Sequence, residues 1–205
     1  MILGIDSSIT HTGLAAIFGY EKVEKDVKNK LKTIATKKQG SQRLLETEMA
    51  LETFINETAN ETGYTPELVV LEGYGYNPVI MVGQKFGNGG RPMIIGKPFE
   101  LGEIGGIIKI YFLKRNIKLI TIAPTKLKKW ITGVGKGSSK SDIKLKAYKK
   151  WGLEADDHSL EAYGLANLGY ALYKIENKIS TIDAFDKKEK EVLKDLIKEM
   201  EAAKQ

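Results

Sequence analysis

The run Leu68-Val69-Val70-Leu71, closed by Glu72 and Gly73, constrains the fold of this chain more than any other segment. Four consecutive apolar residues leave no polar face, so a strand built from them needs cover on both sides of its sheet. Helices packed on both faces of a sheet, an α/β architecture, supply that cover. Met1 to Ile5 is a second apolar run of strand length, and it ends in Asp6, followed by Ser7 and Ser8. After His11 a further apolar stretch runs from Thr12 to Phe18, so the N-terminus reads as a hairpin with a carboxylate on its first strand. Asp followed by small hydroxyl residues is also an ordinary turn signal, because its side chain can bond the backbone two residues on. Glu72 is harder to explain as packing, since it places a charge at the end of a buried strand.

A third acidic position opens a helix. From Asp157 to Lys174, residues Leu160, Ala162, Tyr163, Leu165, Ala166, Leu168, Ala171 and Leu172 recur at helical spacing, with Asp156 or Asp157 as the cap. His158 and Glu161 share one face, as do Asp157 and Glu161. On this segment alone, a capping Asp and a first-turn Glu are the simpler account. The convergence of Asp6, Glu72 and the acids of 157–161 argues for more, because carboxylates brought together repel, a cost normally tolerated when a divalent cation lies between them. An oxygen-rich set suits Mg²⁺ or Mn²⁺, and the chain has no cysteine to offer zinc a thiolate.

The remaining patterning predicts strands near 1–8, 12–19, 31–37, 67–72 and 117–122. Helices are expected near 41–62, 98–115, 124–132, 139–151 and 157–175. The charged segment 20–30 reads as a solvated hairpin excursion. A last helix near 183–203 carries the apolar stripe Val192, Leu193, Leu196, Ile197 and Met200, suited to packing on the core or to meeting a partner. The expected architecture is a mixed sheet with helices on its faces.

The order of GIDSSITHTGLA, VVLEGY, the run from GKPFELGEIGG to APTKLKKWITGVGKGSSK, and DDHSLEAYGLA resembles that of the RuvC-type Holliday junction resolvases, in the ribonuclease H-like superfamily. The resemblance covers most of residues 1–172. It implies a ribonuclease H-like mixed five-stranded sheet flanked by helices and a nuclease domain over 1–175, beyond which the last expected helix makes 176–205 a C-terminal helical extension. It also places Asp6, Glu72 and Glu161 at metal-binding carboxylate positions. His158 falls at a fourth site position that is Asp in some members and His in others, with Asp157 an alternative ligand. The family usually carries Asp where this chain has Glu161, one methylene longer. The activity implied is hydrolysis of DNA phosphodiesters at two Mg²⁺ ions, or Mn²⁺ in their place, leaving 5′ phosphates. The substrate implied is a four-way junction, whose two-fold symmetry calls for a homodimer making paired nicks.

Composition agrees with a DNA partner. Thirty-two Lys and Arg against 26 Asp and Glu give a formal charge of +6 and a pI near 9.2, which favours a polyanion. Two regions are candidates for holding DNA. Tyr74, Tyr76, Lys85 and Arg91 lie in a long glycine-rich stretch between Glu72 and Pro98, where aromatic rings can stack on unpaired bases. Lys128, Lys129, Lys136 and Lys140 flank the TGVGKGSSK turn, where lysines beside backbone amides suit phosphate contacts. No apolar run reaches the roughly 18 residues of a membrane span, and the expected location is the cytoplasm, a host's if the chain is phage-encoded. Other functions compatible with the motifs are a broader branched-DNA nuclease of a phage, a catalytically silent junction binder, and an actin-like nucleotide-binding protein, whose first phosphate loop GIDSSITHTGLA also resembles.

Overall fold

The computed structural model describes residues 1–19, 28–73 and 98–202. Strands β1 (Ile2–Ser7), β2 (His11–Phe18), β3 (Lys28–Ala35), β4 (Leu68–Glu72) and β5 (Lys118–Ile122) form one sheet in the order β3-β2-β1-β4-β5. The first three strands are antiparallel neighbours, and β1, β4 and β5 run parallel. Helices α1 (Gly40–Thr62), α2 (Pro98–Leu113), α3 (Pro124–Thr132), α4 (Lys140–Trp151), α5 (Asp157–Glu176) and α6 (Lys187–Ala202), with a single 3-10 turn at Ile182–Ala184, complete the described elements. None of these helices is long and apolar enough to cross a membrane.

The two-residue period of the strands sorts their side chains into two cores. Leu3, Ile5, Leu14, Ala16, Phe18, Val69 and Leu71 pack against Leu51, Phe54 and Ile55 of α1 and Ile104, Ile108 and Phe112 of α2. Ile2, Ala15, Ile17, Leu68 and Val70 face the other way, toward α5 and, beyond it, α3, α4 and α6. By this alternation Asp6 continues the Ile2 and Gly4 side of β1, and Glu72 continues the Leu68 and Val70 side of β4. Two parallel neighbours therefore deliver both carboxylates to the same edge and the same face of the sheet.

Helix α5 lies against that face at unusually short range. A Cβ on Gly4 would overlap the carbonyl oxygen of Ala162 and crowd the backbone nitrogen of Ala166, and one on Gly13 would overlap the carbonyl oxygen of His158. The missing side chains at these two positions let the helix backbone touch the sheet. Asp156 caps α5 by accepting from the Ser159 amide at 3.1 Å, and Thr33 of β3 donates to Asp156 at 2.8 Å. The start of α5 is thus tied to the sheet through three strands.

One feature departs from the sequence expectation. β3 begins at Lys28, inside the segment read as a solvated excursion, because it pairs with β2 along its whole length. Lys30 and Lys32 turn to α1, where Lys30 meets Glu61 at 2.8 Å and Lys32 meets Glu57 at 3.5 Å, while Leu31 joins the α5 core. The charges hide an ordinary amphipathic edge strand. Helix α6 packs on the same core as α5, burying Val192, Leu193 and Leu196.

Candidate active site

The acids singled out in the sequence meet at the carboxyl ends of β1 and β4, against the first turn of α5. Asp6 is buried, with its side chain 4% exposed, and its Oδ2 lies 2.6 Å from His158 Nδ1. Ligand atoms of Asp6, His158 and Glu161 all fall within 4.8 Å of one another. Glu72, next to Asp6 across the parallel pair, hydrogen-bonds to it. Two carboxyl groups can share a hydrogen bond only when one carries the proton, and burial favours keeping it on Glu72.

The electrostatics follow from this crowding. Burial is the first cause that pushes Glu72 up to about 10, followed by the hydrogen bond and charge of Asp6 and by the charge of Glu161. Glu161 is pushed up to about 7, again by burial first and then by Asp6. His158 moves up because its hydrogen bond to Asp6 favours the imidazolium more than its burial opposes it. Lys128 on α3 pulls both Glu72 and Glu161 back toward ionisation. Such a set is strained by like charge and relieved by a cation. Two or three carboxylates and one imidazole at this spacing fit a hard divalent ion, with the histidine a tolerable partner for Mn²⁺.

Asp157 takes a different position. Its two carboxylate oxygens meet Lys140 at 3.1 Å and Lys144 at 3.0 Å, and these ammonium groups, Lys144 ahead of Lys140, hold it below the usual carboxylate range. A capping box fixes this corner: the Ser139 hydroxyl accepts from the Asp142 amide at 3.2 Å, and the Ser139 amide donates to Asp142 at 2.8 Å. Lys140 therefore stands at the first position of α4, beside the carboxylate cluster. Lys129 turns away from the cluster to Glu191 of α6, 2.7 Å distant. Lys136 is exposed in the turn between α3 and α4. Tyr74, Tyr76, Lys85 and Arg91 lie outside the described residues.

One residue near the cluster drew no functional reading from the sequence. His11, the first residue of β2, stacks its ring on His158 with centroids 5.4 Å apart and planes 2° from parallel. The signal available was parity: His11 shares the side of β2 that carries Gly13, Ala15 and Ile17, the side that faces α5.

No protein-family model and no curated protein matches the chain. Solved structures do. The structure of Thermus thermophilus RuvC matches with a TM-score of 0.51 at 20% identity, over 80% of this chain and 90% of that one. T. thermophilus RuvC in complex with a Holliday junction substrate matches with a TM-score of 0.54 at 18% identity, over 80% and 89% of the two chains. The fold is that of RuvC. On this RuvC-like fold, Asp6, Glu72, His158 and Glu161 share one site, with Lys128 and Lys140 at its border.

Proposed function

We propose that the chain is a divalent-metal-dependent endodeoxyribonuclease that resolves four-way DNA junctions as a homodimer, by paired symmetric nicks. The observation that carries this reading is the meeting of Asp6, His158 and Glu161 within 4.8 Å, with Glu72 hydrogen-bonded to Asp6, on a fold shared with RuvC. In this reading Asp6, Glu72, His158 and Glu161 hold the ions, and Asp157 serves the lysines of α4 instead. Bound there, a pair of Mg²⁺ ions would supply water activation, alignment for in-line attack and charge stabilisation at the leaving 3′ oxygen.

The chain's own residues do the rest. Asp6, on a strand locked between β2 and β4, offers a carboxylate that cannot swing away. Glu72 and Glu161 release their protons as they become ligands, which couples loading of the site to pH. His158 shares the proton at Nδ1 with Asp6 Oδ2 and keeps Nε2 as its second functional atom. Lys140, and Lys136 in the preceding turn, contact backbone phosphates without reading sequence. Tyr74, Tyr76, Lys85 and Arg91 remain part of the proposed DNA surface.

The test is incubation of the purified protein with a labelled four-way junction and a matched linear duplex, with Mg²⁺, with Mn²⁺ and with chelator. The expected result is paired, metal-dependent nicks in the junction, lost in Asp6→Asn while junction binding persists. Binding without cutting under every condition would refute the nuclease and leave a silent junction binder. Cleavage by Asp6→Asn at the wild-type rate would remove Asp6 from the site.

A further inference from the structure

The chain contains two histidines, and they face one another at the candidate active site. Their rings are parallel to within 2° at a centroid separation of 5.4 Å. His158 is held at one edge by Asp6 and at its backbone by the close approach of Gly13. A single edge hydrogen bond fixes the position of a planar ring but leaves it free to swing about that bond. A flat surface against its face limits this freedom.

His11 is equipped to be that surface. Its own ring is oriented by Thr10, whose hydroxyl lies 2.9 Å from His11 Nδ1. Its backbone is fixed twice by Ser8: the His11 amide donates to the Ser8 hydroxyl at 3.1 Å, and that hydroxyl donates to the His11 carbonyl. The hairpin between β1 and β2 thus presents an oriented imidazole from the side of β2 that meets α5. His11 is exposed, so its ring is not required to fill the core. Packing therefore does not explain an aromatic ring at this position.

We propose that His11 is a positioning residue for the nuclease reaction, a parallel, offset-stacked ring that limits rotation of the His158 ring and keeps its Nδ1 on Asp6. The inference rests on the nuclease reading above and goes beyond it in assigning work to a residue outside the acidic cluster. The recognising feature is the flat ring and not its nitrogens, which separates this role from a direct contact to phosphate.

Two variants and two measurements test it. His11→Phe keeps a flat ring and loses both nitrogens, whereas His11→Ala loses the ring. In metal-free protein, heteronuclear NMR of the His158 ring is expected to give one defined signal set in the wild type and in His11→Phe. In His11→Ala that set should move toward the position of a freely rotating histidine. In single-turnover junction cleavage, His11→Ala is expected to slow the rate roughly tenfold, as misorientation of a site group does. Its junction affinity should stay within about twofold, and His11→Phe should stay within about threefold of the wild-type rate. His11→Phe as slow as His11→Ala would overturn the stacking role in favour of a role for the nitrogens. Unchanged His158 signals in His11→Ala would overturn it outright. If the wild type cuts no junction, the nuclease reading fails, and the NMR comparison by itself still decides whether His11 orients His158.

Discussion

Glu72→Gln is expected to stabilise the metal-free protein increasingly as pH rises. Glu72 ionises near 4.5 as an ordinary carboxyl but holds its proton to about 10 when folded, chiefly because it is buried and secondly because it bonds Asp6. Between those values the folded chain binds one more proton than the unfolded chain, so stability falls with increasing pH. The slope is about 1.4 kcal/mol per pH unit, and pH 7 lies two and a half units above 4.5, which gives a penalty of about 3 kcal/mol. Glutamine mimics the protonated carboxyl in shape and cannot ionise, so it removes the penalty. The two proteins should therefore melt together near pH 4 and separate by roughly 6–12 °C at pH 7 in chelator, given about 2–4 °C per kcal/mol for a chain of this size. Thermal unfolding in chelator at pH 4, 5.5, 7 and 8.5, followed by circular dichroism, reads the separation directly. Parallel curves across that range would refute the reasoning, because they would mean that Glu72 titrates normally and that the acids are not crowded.

Loading the site with Mn²⁺ at pH 7 should release at least about one proton, mostly from Glu72, measured as the dependence of calorimetric heat on the ionisation enthalpy of the buffer; zero release would remove Glu72 from the ligand set. Gly4→Ala should destabilise by about 3 kcal/mol or more, since the new Cβ meets backbone atoms of α5 that cannot move aside, and a denaturant midpoint within error of wild type would contradict the close packing of α5 on β1. Lys140→Gln should weaken junction binding and lower the salt slope by about one unit, read by anisotropy over a salt series. Lys129→Gln should change that slope less, because Lys129 is less exposed than Lys140 and turns to Glu191 of α6, and it should alter stability by under about 1 kcal/mol.

The elements that matter most were legible in the order of residues alone. Apolar runs ending in Asp6 and Glu72 announced buried strands carrying carboxylates, and helical periodicity announced a helix whose first turn holds Asp157, His158 and Glu161. These patterns are local, and burial enforces them. The sequence could not decide how the elements met. Strand register put Asp6 and Glu72 on one face, and the bare backbones of Gly4 and Gly13 drew α5 onto that face. Charge pairing then separated residues that look equivalent in the sequence: Asp157 and Lys129 are each neutralised by a partner from another helix, while Glu161, four residues beyond Asp157, faces Asp6. The lysines of β3 concealed an edge strand because their partners, Glu57 and Glu61, come from α1. His11 was invisible as a site residue, since its meaning depends on a ring 147 positions away in the chain. Contacts between distant segments are set by register and close packing, and those exist only once the chain has folded.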